Sequence, residues 1–154
     1  MIKIFNLVFL TLFYSNIQSQ NTVEEEKIKQ TLSTFFNGLH QGDSTLIASV
    51  MHPTIKIQTT YTNTEGKSIL KTDTKKQLLI NIANKRESDT YFEKLHSYTI
   101  HVDNNLASVW TPYTFYYNNK KSHCGANTFQ LFKTDGTWKI IYIADSRRKN
   151  NCTD

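Results

Sequence analysis

Asp145 and Arg147 stand two residues apart in "TWKIIYIADSRR". A strand there would put an acid and a base on one face. Such a pair either closes into an ion pair or holds a neighbouring group, the carboxylate of a ligand included. The remaining acids fall mostly at helix starts, as Glu24, Glu25, Glu26, Asp43 and Asp73 do, or at turns, as Asp103 and Asp135 do. On this reading Asp145 is the only acid inside a strand and a candidate acid/base. His52, just before Pro53 at the start of the first strand-like run, is a second candidate, weighed against a structural hydrogen-bonding role. His96 and His101 lie five apart, on opposite strand faces, and cannot clamp one metal together. His123 sits near Gly125, and His40 lies near the end of the first helical run. No nucleophile elbow, phosphate loop or zinc spacing occurs, so neither a cofactor nor a metal site is expected.

The elements that would position these groups follow from periodicity. "NTVEEEKIKQTLSTFFNGLHQGD" is an amphipathic helix, with Val23, Ile28, Leu32, Phe35, Phe36 and Leu39 on one stripe. Asp43 or Ser44 caps a short second helix that stops before Pro53, and Asp73 or Thr74 caps a third through Leu78, Leu79 and Ile82. "TIKIQTTY" alternates as a strand, and "SILKTD" pairs back across Gly66. The rest reads as a four-strand meander, turning at Asp103-Asn104-Asn105, Asn118-Asn119 and Asp135-Gly136. The plan is α+β, three helices on one face of a curved antiparallel sheet.

The first residues, "MIKIFNLVFLTLFYSNIQSQ", carry a positive start, an apolar run and a small residue at Ser19. That is the pattern of a secretory signal, so residues 1–19 read as a leader and 20–154 as one domain, periplasmic or extracellular after cleavage. The run is too short to span a bilayer. In an exported chain the only two cysteines, Cys124 and Cys152, invite a disulfide, with two free thiols the alternative. The net charge of +5 in 154 residues is spread over scattered lysines, which suits solvated faces and not a nucleic-acid patch.

Taking Asp135-Gly136 as a two-residue turn places Leu131 opposite Ile140 and Phe129 opposite Tyr142. The Asn118-Asn119 turn adds Trp110 opposite Asn127 and Tyr113 opposite Cys124. One face then holds Trp110, Asn127, Phe129, Leu131, Trp138, Ile140 and Tyr142 and is set against the helices. The other holds Tyr113, Cys124, Phe132, Ile141, Ile143, Asp145 and Arg147. Trp110, Asn127 and Tyr142 form either an aromatic ligand wall with one amide or plain core. Tyr113 is a stacking partner for Arg147.

From Glu24 to Cys152, and most specifically over "VWTPYTFYYNNKKSHCGANTFQLFKTDGTWKIIYIADSRRKNNC", the chain resembles the nuclear transport factor 2-like, or cystatin-like, superfamily. Within it the chain looks closest to the so-called lumazine-binding branch of exported Bacteroidetes proteins. The resemblance implies a cone: a bent sheet wrapped around three helices, a pocket at the open end with His52 near its mouth, and often a dimer through the outer sheet face. The expectation is therefore an exported protein that binds a small hydrophobic or aromatic molecule through Trp110, Asn127, Tyr142, Tyr113 and Arg147. The alternative is a small pocket enzyme of isomerase, dehydratase or hydrolase type, with His52 or Asp145 as acid/base. A third reading, an interaction domain, needs a filled cone and an apolar outer face on Phe132, Ile141 and Ile143, which would support a homodimer.

Overall fold

A computed structural model describes residues 3–152, with side chains described from Thr22 onward. Residues 1–19, read as a leader, fall outside the residues whose side chains are described. Helix α1 (Lys3–Gln41) leads into α2 (Ser44–Val50), strands β1 (Met51–Thr62) and β2 (Ser68–Asp73), and α3 (Lys75–Ala83). Strands β3 (Tyr91–Leu95), β4 (Thr99–Asp103), β5 (Leu106–Tyr117), β6 (Lys120–Thr134) and β7 (Thr137–Arg147) complete the chain.

The helix stripe is the one the spacing predicts except at Val23, which is exposed. Ile28, Leu32, Phe35 and Phe36 are buried against the sheet, and Phe35 and Phe36 meet Phe129 of β6 edge-on at 5.9 Å each. Gly42, at φ +76°, ends α1 in a backbone region that other residues enter at a cost. Asp43 then caps α2, its side chain accepting from the Leu46 N–H, and Thr74 caps α3 by accepting from Gln77.

The sheet runs β2-β1-β7-β6-β5-β3, with β4 also on β5. The pair β1/β7 is parallel, so the sheet is mixed and not wholly antiparallel. The segment expected as one strand over 91–102 is two: β3 pairs with β5 from Tyr113 to Tyr117, and β4 with β5 from Leu106 to Trp110. Asn118, Asn119, Asp135 and Gly136 all have positive φ, as the tight hairpin turns require.

Two bulges decide which side chains enter the cone. Beyond the Asp135-Gly136 turn, Lys133 faces Trp138 and Leu131 faces Ile140, but Ile141 is then extra, so Gln130 faces Tyr142 and Phe129 faces Ile143. Beyond Asn118-Asn119, Ser122 is extra, so Tyr113 faces Gly125 and Trp110 faces Thr128. Each inserted residue reverses the facing of everything beyond it. Trp110 consequently points out and is 51% exposed. Tyr142 also turns to the outer side, where its hydroxyl donates to Gln58 Oε1 at 2.6 Å. Ile143, expected outside, is buried in the core. Asp145 follows Ile143 two residues on, and so faces the interior as well.

The narrow end of the cone is filled. Trp138 is 2% exposed, and its Nε1 donates to Glu24 Oε2 at 2.9 Å, an oxygen that Lys133 Nζ also reaches at 2.8 Å. These contacts tie α1 to the β6/β7 hairpin. Cys124 and Cys152 form a disulfide with Cα atoms 5.6 Å apart. It ties the tail to β6 beside the paired backbones of Cys124 and Arg148. Among the described residues no helix is long and apolar enough to cross a membrane.

Candidate functional site

At the opposite, open end the helices and sheet diverge around a cavity of about 250 Å³. Its floor is apolar, from Phe35, Phe36 and Leu39 of α1 and Phe129 and Ile143 of the sheet. Three carboxyl groups line the cavity, Glu93, Asp145 and Asp73, together with Asn127, Tyr113 and His123.

Glu93 is the middle residue of β3, where Tyr91, Glu93 and Leu95 alternate inward. Its backbone N–H donates to His40 Nε2 at 2.9 Å. That bond requires the neutral His40 ring with its proton on Nδ1, and burial pushes the His40 pKa down accordingly. The Glu93 carboxyl accepts a bond from Asn127 Nδ2 on Oε1 at 2.7 Å. Burial, reinforced by the nearby Asp145 charge, raises its pKa to about 7, against the opposing pull of Asn127. Among the described residues no donor reaches Oε2, yet no buried side-chain oxygen is left unsatisfied, so Oε2 opens onto the cavity.

Asp145 sits beside Asn127 in the β6/β7 ladder. Its Oδ1 accepts from the Thr59 hydroxyl at 2.6 Å, and its Oδ2 from Arg147 Nε at 2.6 Å and from the Tyr113 hydroxyl at 3.3 Å. The Tyr113 hydroxyl is also 3.1 Å from the Ser146 carbonyl. Burial, then the Asp145 charge, raises the Tyr113 pKa, so the phenol stays protonated and donates. His123 packs 5.0 Å from the Phe115 ring and edge-on to Tyr113. Burial, aided by the Arg147 charge, pushes its pKa down to about 4, so it is neutral near pH 7. The cavity therefore holds one carboxyl poised near neutrality and a second held by three donors. A carboxyl raised in this way inside a cleft suits proton transfer.

The structure brings Asn127, Tyr113, Arg147 and Asp145 together at the cavity. It does not bring Trp110, Tyr142 or His52. His52 instead pairs its Nδ1 with the Thr54 hydroxyl at 2.9 Å and lies edge-on to Phe132. Glu93, Thr59 and the interior place of His123 were not foreseen. One signal pointed to Glu93: in "YFEKL" an acid shares the alternating face of Tyr91 and Leu95. Asp145 is thus not the only acid within a strand.

The cavity opens into a groove of about 740 Å³ between the end of β1, the β2 edge and the tail. Thr59, Asp73, His123 and Arg147 line both spaces. Lys71, Arg148 and Lys149 add to the groove wall.

No protein-family model matches the chain, and neither does any curated protein. Solved structures do. An NTF2-like protein of unknown function from Shewanella baltica is 18% identical, at a TM-score of 0.61 over 82% of this chain and 95% of that one. A protein of unknown function with a cystatin-like fold from Nostoc punctiforme is 12% identical, at 0.63 over 83% and 93%. A proposed scytalone dehydratase from Novosphingobium aromaticivorans is 15% identical, at 0.65 over 88% and 93%. At these identities the likeness concerns the fold alone: this chain has the NTF2-like, cystatin-like fold.

Proposed function

We propose that this chain is a small-molecule pocket enzyme whose chemistry is proton transfer, of isomerase or dehydratase type, with Glu93 as the proton acceptor and donor. The observation that carries the reading is a carboxyl group with one oxygen open to an apolar cavity and a pKa of about 7. A base of that strength is half ionised at physiological pH, the optimum for accepting a proton and returning it. Asn127 orients the carboxyl through Oε1, leaving Oε2 toward the ligand. The Tyr113 phenol stays protonated and gives its one O–H to Asp145 Oδ2 or the Ser146 carbonyl, so it helps to fix Asp145 beside Glu93. The scytalone dehydratase label of one structural neighbour agrees in reaction type but stands for that protein only.

The binding-only alternative rests on Asp145, whose oxygens are engaged by Thr59, Arg147 and Tyr113 as in a structural carboxylate. The resemblance to the lumazine-binding branch supports a small-ligand pocket under either reading. Export belongs to the same proposal: the disulfide is compatible with an oxidising compartment. So does a homodimer through the outer sheet face, where Trp110 is exposed.

The test is deuterium exchange. The oxidised protein is incubated in D₂O with a panel of small cyclic and aromatic carbonyl compounds, and loss of the proton next to the carbonyl is followed by NMR. Exchange that rises with pH around a midpoint near 7 and falls about 10²- to 10⁴-fold in Glu93→Gln supports the reading. Wild-type exchange across the panel no faster than in Glu93→Gln defeats it and leaves binding alone.

A further inference from the structure

The groove at the mouth is strongly one-signed. Lys71, Arg147, Arg148 and Lys149 line it against a single carboxylate, Asp73, which Lys71 Nζ already meets at 2.8 Å. Arg148 and Lys149 meet no carboxylate among the described residues. Arg147 is the one cation lining both the groove and the inner cavity. Asp145 engages only its Nε, at 2.6 Å, and so holds the side chain in place while both Nη nitrogens make no hydrogen bond to the described residues. A guanidinium fixed at Nε with its outer fork open is shaped for the two oxygens of a planar carboxylate. The disulfide keeps the cationic segment in position: it ties Cys152 to Cys124, and Arg148 to Lys149 lie between the strand and that tie.

We infer that the ligand of this pocket is an organic carboxylate, with a compact apolar body in the cavity beside Glu93 and its carboxylate at the mouth on Arg147. The inference rests on the cavity being the ligand's seat, as proposed above, but not on Glu93 being catalytic. The apolar lining from Phe35, Phe36 and Phe129 takes the body, and the volume of about 250 Å³ limits it to a small ring system. The acid of the ligand stays outside that lining, where Lys149 and Arg148 add attraction without the cost of burying a charge. Glu93 at the inner end works against a ligand entering carboxylate-first, so charge also sets the ligand's direction.

Calorimetry with 2-naphthoate and its uncharged isostere 2-naphthamide tests this on the oxidised full chain. The wild type is expected to bind naphthoate at least tenfold more tightly than naphthamide, with the preference shrinking in half-molar sodium chloride. Arg147→Gln removes the preference, Arg147→Lys retains part of it, and the exposed Lys149→Gln lowers it without touching Asp145. Naphthamide affinity is unchanged in Lys149→Gln, and all three variants unfold as cooperatively as the wild type in urea, which separates loss of the anion seat from loss of the fold. Equal binding of the two probes by the wild type overturns the inference. So does a preference that survives Arg147→Gln, or no naphthoate binding at millimolar concentration. Glu93→Gln keeps the naphthoate preference whatever it does to deuterium exchange. A preference without exchange therefore rejects the proton-transfer reading and leaves this one standing.

Discussion

Replacing Glu93 with Gln tests the electrostatics of the site without needing its substrate. The amide keeps the shape of the side chain and an Oε1 that accepts from Asn127, but it cannot ionise. In the native protein the carboxyl titrates at about 7 against an ordinary value of 4.5, mainly because it is buried. Between those two pH values the folded state holds a proton that the unfolded chain has released, so stability falls as pH rises. Once the carboxyl is ionised the cost to the fold is on the order of 3 kcal/mol. Glu93→Gln should therefore match the wild type near pH 4 and exceed it by up to about 3 kcal/mol above pH 7. His123 works in the opposite sense. Its pKa is lowered from 6.5 to about 4, so the unfolded chain takes up the proton first and stability falls as pH drops through that window. In the wild type the two slopes oppose each other between about 4.5 and 6.5. In the Gln variant the His123 slope, joined in the same sense by His40, is no longer opposed by Glu93, and stability climbs with pH. Urea unfolding at pH 4, 5.5 and 8, followed by fluorescence of the buried Trp138, measures the difference. A gap between variant and wild type that is the same at pH 4 and pH 8 would refute the reasoning.

Further outcomes follow from other parts of the molecule. His123→Gln removes the slope that opposes Glu93, so on acidification from pH 6.5 to 4 the variant gains stability relative to the wild type, read by the same unfolding curves. Glu24, held down to about 2 chiefly by Lys133 with Lys27 and Trp138 adding, contributes stability that is present above 4.5 and lost as pH falls toward 2. Glu24→Gln should flatten that acid limb. Reducing the Cys124–Cys152 bridge, which closes 28 residues of chain, should cost roughly 3 kcal/mol in denaturant midpoint measurements. Gly125→Ala should fail to fold or lose several kcal/mol, because the added carbon would collide with the Ser146 carbonyl of the adjacent strand. Trp110→Ala should cost below about 1 kcal/mol and Trp138→Ala about 3–5 kcal/mol, since one ring stands in solvent and the other in the core.

Much of the fold was legible because its signals are local. The stripe of Ile28, Leu32, Phe35 and Phe36 needs only a helical period to be recognised. The caps at Asp43 and Thr74 and the turns at Asn118-Asn119 and Asp135-Gly136 each depend on one or two side chains. The site was less legible because facing accumulates along a strand. The residues next to Asp135-Gly136 kept their predicted partners as far as Leu131 and Ile140, and the bulge at Ile141 then reversed the rest. That single residue exchanged Tyr142 for Ile143 inside the cone, and the bulge at Ser122 exchanged Trp110 for its neighbours. Neither "KIIYI" nor "KKSHC" carries a glycine or proline to mark an extra residue.

The amino-acid sequence alone determined the helices, the hairpin turns and the α+β plan, since each arises from neighbours in the chain. Tertiary structure alone decided the parallel seat of β1 beside β7, the facing beyond each bulge and the chemistry of the cavity. Glu93 is an ordinary exposed-looking acid in "YFEKL". It becomes a group that titrates at about 7 only when α1, β5, β6 and β7 remove its water and bring up Asn127 and Asp145. Desolvation is a property of what surrounds a charge in space, and those surroundings come from segments up to about a hundred residues apart.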